Sequence, residues 1–256
     1  MFIRRRLLHG LYTHNLRGLI HRVMHHVVRL AKPVEAGVPE AMHPFDEAHS
    51  TDTSGFISGD DLRSGLPADL YNTAYYAISP STLKNALSRI PVPLSDYTFI
   101  DLGCGKGRAL LVAAELPFKQ IIGVEISAKL CDTARKNVSD DPRISIVEQD
   151  AAVFTFPDGP VVAYFYNPFL APFLKKVLKN LELQWKNVPR DMFILSAYPA
   201  YPKLMSRFNF LRLVWEQVIC LSPEDATADR HGATSERYAL YQTCPLYYSG
   251  EKDAGQ

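Results

Sequence analysis

Little in this 256-residue chain is extreme, and each shortage removes a class of function. Net charge is scarce. The formal value is +1 at pH 7, so no global field favours nucleic acid as a partner. Cysteine is scarce as well. Cys104, Cys131, Cys220 and Cys244 lie far apart with no C-x-x-C pair, which argues against a disulfide framework and leaves no evident metal cluster. They read as buried thiols in a reducing, cytoplasmic setting. No apolar run is long enough to span a bilayer. The N-terminus also lacks the continuous apolar stretch of a signal peptide. A chain of this length buries a substantial core without cross-links.

Acidic residues are missing from one region altogether. No Asp or Glu precedes Glu35, while Arg4, Arg5, Arg6, Arg17, Arg22, Arg29 and Lys32 make the segment basic. Ile3, Leu7, Leu11, Leu16, Ile20, Met24, Val27 and Leu30 recur roughly as on one helix face. Residues 1–34 therefore read as a basic amphipathic helical extension. Packing on the domain or on a partner through residues 1–32 is the favoured role. Contact with an anionic membrane surface comes next, with a nucleic-acid arm or a transit peptide as further options.

What is present concentrates in Phe99-Ile100-Asp101-Leu102-Gly103-Cys104-Gly105-Lys106-Gly107-Arg108. An apolar strand ends in an acid, three glycines follow at alternate positions, and an Ala/Leu-rich helix begins. Glycines let a ligand lie against the main chain, and the helix start offers free N–H groups. The dinucleotide fingerprint is G-x-G-x-x-G/A. Here the third glycine comes one residue early and Arg108 stands where that fingerprint needs Gly or Ala. Two more apolar strands end in acids: Lys119 to Glu125, followed by Ile126, and Ile144 to Glu148, followed by Asp150-Ala151. Ser127 is placed to cap the helix between them. Val161 to Tyr166 leads into Asn167-Pro168-Phe169, and Met192 to Ser196 is a fifth strand. Phe210–Cys220 and Tyr238–Thr243 read as the last two, joined by a long polar loop, Ser222–Arg237.

The pattern D-x-G-x-G-x-G resembles motif I of class I S-adenosylmethionine-dependent methyltransferases. The resemblance implies an α/β, Rossmann-like fold: a mostly parallel seven-stranded sheet with an antiparallel last strand, plus the N-terminal helical extension. It implies S-adenosylmethionine as cofactor. Asp101, Gly103, Gly105 and Gly107 would shape the methionine end, Glu125 would hold the ribose hydroxyls, Ile126 would face the adenine, and Asp150 with Ala151 would meet its edge. Tyr166-Asn167-Pro168-Phe169 is similar to the Asn/Asp-Pro-Pro-Tyr/Phe motif of enzymes that methylate amide or exocyclic amine nitrogens. Asn167 and a backbone carbonyl would accept the protons of an NH₂ group, and Phe169 would stack on the substrate. Asn167 and Pro168 equally suit the first positions of the helix carrying Leu170, Phe173, Leu174, Val177, Leu178 and Leu181.

Asp52-Thr53-Ser54-Gly55-Phe56 and the later motifs together resemble an uncharacterised bacterial group of such methyltransferases, over most of residues 45–245. The implied organisation is a cover segment and first helix at 35–90, a catalytic domain at 91–246 and a flexible tail at 247–256. Residues 33–66 show no clear periodicity and read as loop or cover. Tyr71, Tyr75 and Tyr76 are candidate substrate walls, with ordinary lid packing as the alternative. His231 is the best general-base candidate in the 222–237 loop. The expected activity is N-methylation of a protein side chain or small amine or amide, ahead of nucleic acid. An NAD-linked oxidoreductase and a non-catalytic cofactor-binding module recruited through the basic N-terminus are the alternatives.

Overall fold

A computed structural model describes residues 42–58, 62, 74–166, 169–229 and 232–244. The expected helix at 1–34 and tail at 247–256, and Tyr71, Asn167, Pro168 and His231, lie outside the described residues.

Helix α1 (Pro44–His49) and a two-stranded ribbon, β1 (Phe56–Ile57) with β2 (Tyr75–Tyr76), come first. Part of the stretch read as unstructured is therefore helical. Pro44 at the first turn and the His43 ring, which accepts from the Phe45 N–H, start α1. Helix α2 (Pro80–Ser88) leads into strand β3 (Thr98–Leu102) and helix α3 (Arg108–Ala114). Next come β4 (Gln120–Glu125), α4 (Ala128–Asn137), β5 (Ile144–Glu148) and β6 (Val161–Tyr166). The remainder is α5 (Ala171–Asn187), β7 (Met192–Ala197), α6 (Pro202–Met205), β8 (Leu211–Cys220), α7 (Pro223–Ala228) and β9 (Ser235–Thr243).

The seven-stranded sheet has the order β5-β4-β3-β6-β7-β9-β8, parallel except for β9, which is antiparallel to both neighbours. Its central strands are apolar throughout because both faces are covered. Phe99, Tyr164, Phe193 and Leu240 face one core with α2 and α3. Ile100, Ala163, Ile194 and Tyr241 face the other with α5. The chain runs outward to β4 and β5 on one side of β3 and to β6 and β7 on the other. A crevice therefore opens beyond the carboxyl ends of β3 and β6, which is where open α/β sheets bind ligands.

Two segments differ from expectation. Helix α5 starts at Ala171, with Leu170 at its N-cap and Pro172 in its first turn, later than the start expected from the sequence. The 222–237 stretch is not one long loop. Pro223 suits a first turn and the Ser222 hydroxyl accepts from the Asp225 N–H, which makes α7, and β9 begins at Ser235. Cys104 and Cys131 are buried, but Cys220 on the outer strand β8 is exposed. An edge strand whose residues are mostly open to water does not bury its last side chain.

Candidate active site

The glycine loop is held from below by β4. The N–H groups of Gly103 and Cys104 donate to Val124 O (2.8 and 3.1 Å), and Gly107 N–H donates to Cys104 O (2.9 Å). Gly105 has φ 56°, and a Cβ there would stand 2.3 Å from the Tyr75 ring. Only glycine meets both conditions.

Glu125 ties this loop to the next helix. Its Oε2 accepts from Gly105 N (3.0 Å), and its Oε1 accepts from Ile126 N and Ser127 N (both 2.9 Å). Ser127 occupies the N-cap of α4, yet its hydroxyl makes no capping bond. The Glu125 carboxylate instead holds the turn that leads into α4. Burial pushes its proton affinity up, and the three N–H donors pull it back down without cancelling the rise. A carboxylate accepts about four hydrogen bonds, so about one direction remains for a ribose hydroxyl rather than two.

Asp101 is 3 % exposed, and no hydrogen bond reaches its carboxyl among the described residues. Burial, and then the charge of Glu125, push its pKa well above the usual carboxylate range. A buried acid without a partner, next to a glycine loop, suits a cationic group such as a ligand ammonium. Asp150 caps the short turn Ala151–Val153, accepting from Ala152 N at 2.7 Å. Glu125, Ile126, Asp150, Ala151, Gly103, Gly105, Tyr75, Phe169 and Phe173 are among the residues lining a cleft of about 590 Å³ that is open to solvent. Phe169 and Phe173 pack with ring centroids 4.8 Å apart.

The Asp52–Gly55 segment is clasped onto the loop through Arg108, whose role spacing alone did not disclose. Arg108 is 4 % exposed. Its NH2 nitrogen donates to Asp46 Oδ2 (3.2 Å) and Ser54 Oγ (3.0 Å), its Nε to Thr53 Oγ1 (2.7 Å), and its NH1 nitrogen to Ile78 O (3.2 Å). Asp46 also accepts from the hydroxyls of Thr51, Thr53 and Ser54 and from Thr53 N. Burial alone would raise the Asp46 pKa, but those hydroxyls and the Arg108 charge hold it below the usual range. Lys106 Nζ reaches Asp52 Oδ1 (2.8 Å) and Ser54 O (2.7 Å), and Tyr75 OH donates to Thr53 O (2.5 Å). The two motifs thus form one structure. A lone basic residue at the start of an apolar helix was the available signal.

Tyr76 turns the other way, toward Asp229 (3.3 Å). Beside it Glu236, 3 % exposed, accepts from Ser79 Oγ (3.0 Å) and Tyr166 OH (3.1 Å) on one oxygen, and from Thr82 Oγ1 (2.5 Å) and Tyr238 OH (3.0 Å) on the other. Sequence reading missed Glu236 because its four donors come from three separate elements. The structure brings Asp101, the loop glycines, Glu125, Ile126, Asp150, Ala151, Tyr75 and Phe169 to one edge of the sheet.

A parallel sheet with one reversed strand, a glycine loop after β3 and acids ending the next two strands define the class. This fold and a match to a methyltransferase domain support a class I S-adenosylmethionine-dependent methyltransferase enzyme, with S-adenosylmethionine as the cofactor. Residues 99–182 match the family described as Methyltransferase domain. No curated protein matches the chain. Among solved structures, the chain is similar to the 23S rRNA methyltransferase ErmE, at 12% identity over 64% of this chain and 68% of that one, TM-score 0.46. It is also similar to TrmN from Thermus thermophilus, at 16% identity over 65% of this chain and 49% of that one, TM-score 0.46. A third is the N-methyltransferase NodS from Bradyrhizobium japonicum in complex with S-adenosyl-L-homocysteine, at 12% identity over 62% of this chain and 86% of that one, TM-score 0.44. Their acceptors are their own. No helix among the described residues is long and apolar enough to cross a membrane.

Proposed function

We infer that the protein methylates a nitrogen of a protein side chain or of a small amine or amide. The observation that carries this is the position of Phe169. It lines the cleft beside Glu125 and Asp150, three residues after β6 ends at Tyr166. Helix α5 starts at Ala171 with Leu170 at its N-cap. S-adenosylmethionine supplies an electrophilic methyl group on a sulfonium. In this reading Asp101 receives the ammonium of its methionine end, Glu125 a ribose hydroxyl, and Asp150 the adenine amino group. Asn167 accepts the protons of the acceptor nitrogen and aims its lone pair at the methyl group, and the Phe169 ring lies against the acceptor plane. Orientation and exclusion of water from a cationic centre supply the acceleration. The basic segment 1–32 serves recruitment to a partner or an anionic membrane surface.

The test is transfer of labelled methyl groups to a lysine-containing peptide, a primary amine and an RNA, with mass spectrometry locating the methyl group. Asn167→Ala is expected to lower kcat more than it weakens cofactor binding. Equal loss of both would remove Asn167 from the reaction. Failure of S-adenosylmethionine and S-adenosylhomocysteine to bind in calorimetry would end this reading.

A further inference from the structure

Tyr75 and Tyr76 are neighbours in β2 and face opposite ways, as successive strand residues must. Tyr76 reaches Asp229, whereas the Tyr75 ring lies against Gly105 and lines the cleft beside Glu125. The ribbon that carries Tyr75 pairs only Phe56 with Tyr76 and Ile57 with Tyr75. So short a ribbon does not fix a ring in place, because a lone two-stranded pair is marginal in water. What fixes it is a run of polar contacts behind the cleft. Tyr75 OH donates to Thr53 O at 2.5 Å. Thr53 is 0 % exposed. Its N–H donates to Asp46 Oδ1 (3.0 Å), and its Oγ1 accepts from Arg108 Nε (2.7 Å). Asn137 fastens the same segment from α4: its Oδ1 accepts from Asp52 N, and its Nδ2 donates to Asp52 O (both 3.0 Å). The Lys106 ammonium also stands over the Tyr75 ring, 5.8 Å from its centroid. Burial raises the Tyr75 pKa above the ordinary phenol value, so its hydroxyl stays a donor. Asp46, Thr53 and Tyr75 all precede residues 99–182, the segment that matches the methyltransferase family.

We propose that Tyr75 is a wall of the cofactor site supplied by the cover segment, and that Arg108 and Asp46 are positioning residues that set cofactor affinity through Thr53. The proposal rests on S-adenosylmethionine being the cofactor and adds to its site a part that lies outside the glycine loop and the strand-end acids. Arg108, Asp46 and Thr53 are not among the residues that line the cleft. Their effect reaches it through the Tyr75 ring. The coupling is reciprocal, so a bound ligand also steadies Thr53 and Tyr75.

Calorimetry of S-adenosylhomocysteine with the full chain tests this. Tyr75→Phe keeps the ring and removes only its bond to Thr53. It should weaken binding about fivefold, the size of one neutral hydrogen bond. Asp46→Leu/Arg108→Met separates positioning from stability. It takes both side-chain partners from Thr53 without leaving a buried charge unpaired. More than half of the stability lost in Arg108→Met should therefore return, while affinity stays at least about fivefold below wild type. Adding Tyr75→Phe to that pair should weaken binding no further, because the hydroxyl then ties the ring to nothing fixed. In wild-type protein the ligand should slow amide exchange at Thr53 and Tyr75. Wild-type affinity in Tyr75→Phe, affinity that returns with stability in the double variant, additive losses in the triple variant, or unchanged exchange overturns the positioning and leaves the methyltransferase reading intact. Failure of wild-type protein to bind both S-adenosylmethionine and S-adenosylhomocysteine overturns the cofactor, and the role of Tyr75 with it.

Discussion

Replacing Arg108 by Met removes the cation from a pair in which both partners are almost fully enclosed, Arg108 at 4 % and Asp46 at 1 % exposure. Leaving one member of a buried pair uncompensated costs about 3–5 kcal/mol. Asp46 keeps its donors from Thr51, Thr53 and Ser54, which places the expected loss near the lower end, about 3 kcal/mol. For a domain of this size that lowers Tm by about 6–12 °C. The loss should be local in origin. Thr53 and Ser54 lose their donor, Thr53 O carries the Tyr75 hydroxyl, and the Tyr75 ring rests on Gly105. Amide exchange at Thr53, Tyr75 and Gly105 should therefore rise before exchange in β6 and β7. The double variant Asp46→Leu/Arg108→Met should recover more than half of the loss, because no unpaired charge stays buried. Thermal unfolding by circular dichroism and hydrogen exchange read these effects. A single-variant loss below about 1 kcal/mol, or additive losses in the double variant, would refute the clasp.

Acid should loosen the same region. The folded-state pKa values of Asp46 and Asp225 both lie below their ordinary value. Each therefore contributes stability above its unfolded value of about 3.9, lost as pH falls through the lower folded value. Denaturant titrations should show stability falling below about pH 4, with a shallower fall in Asp225→Asn. Gly105→Ala forces a positive φ on a side chain aimed at Tyr75, so S-adenosylhomocysteine affinity should drop by at least about tenfold, checked by calorimetry. Glu236→Gln turns an acceptor of four hydroxyls into a partial donor and should cost about 1–3 kcal/mol in urea unfolding. With a thiol reagent, exposed Cys220 should react at once. Buried Cys104 should react only on unfolding, as should Cys131, whose pKa burial pushes up to about 12.

Much of the framework was legible along the chain because its signals are local. Apolar runs ending in Asp101 and Glu125 mark strands buried on both faces, and alternating glycines mark a close backbone approach whatever surrounds them. Those features determined the class of fold and the cofactor. Only the tertiary structure decided how the pieces engage. Arg108 became one half of a clasp with Asp46, 62 residues away in sequence. Glu125 turned out to hold the turn into α4 and to anchor Gly105, and Glu236 to gather hydroxyls from α2, β6 and β9. Side-chain hydrogen bonds across such separations leave no periodicity, because their geometry exists only once the sheet has formed.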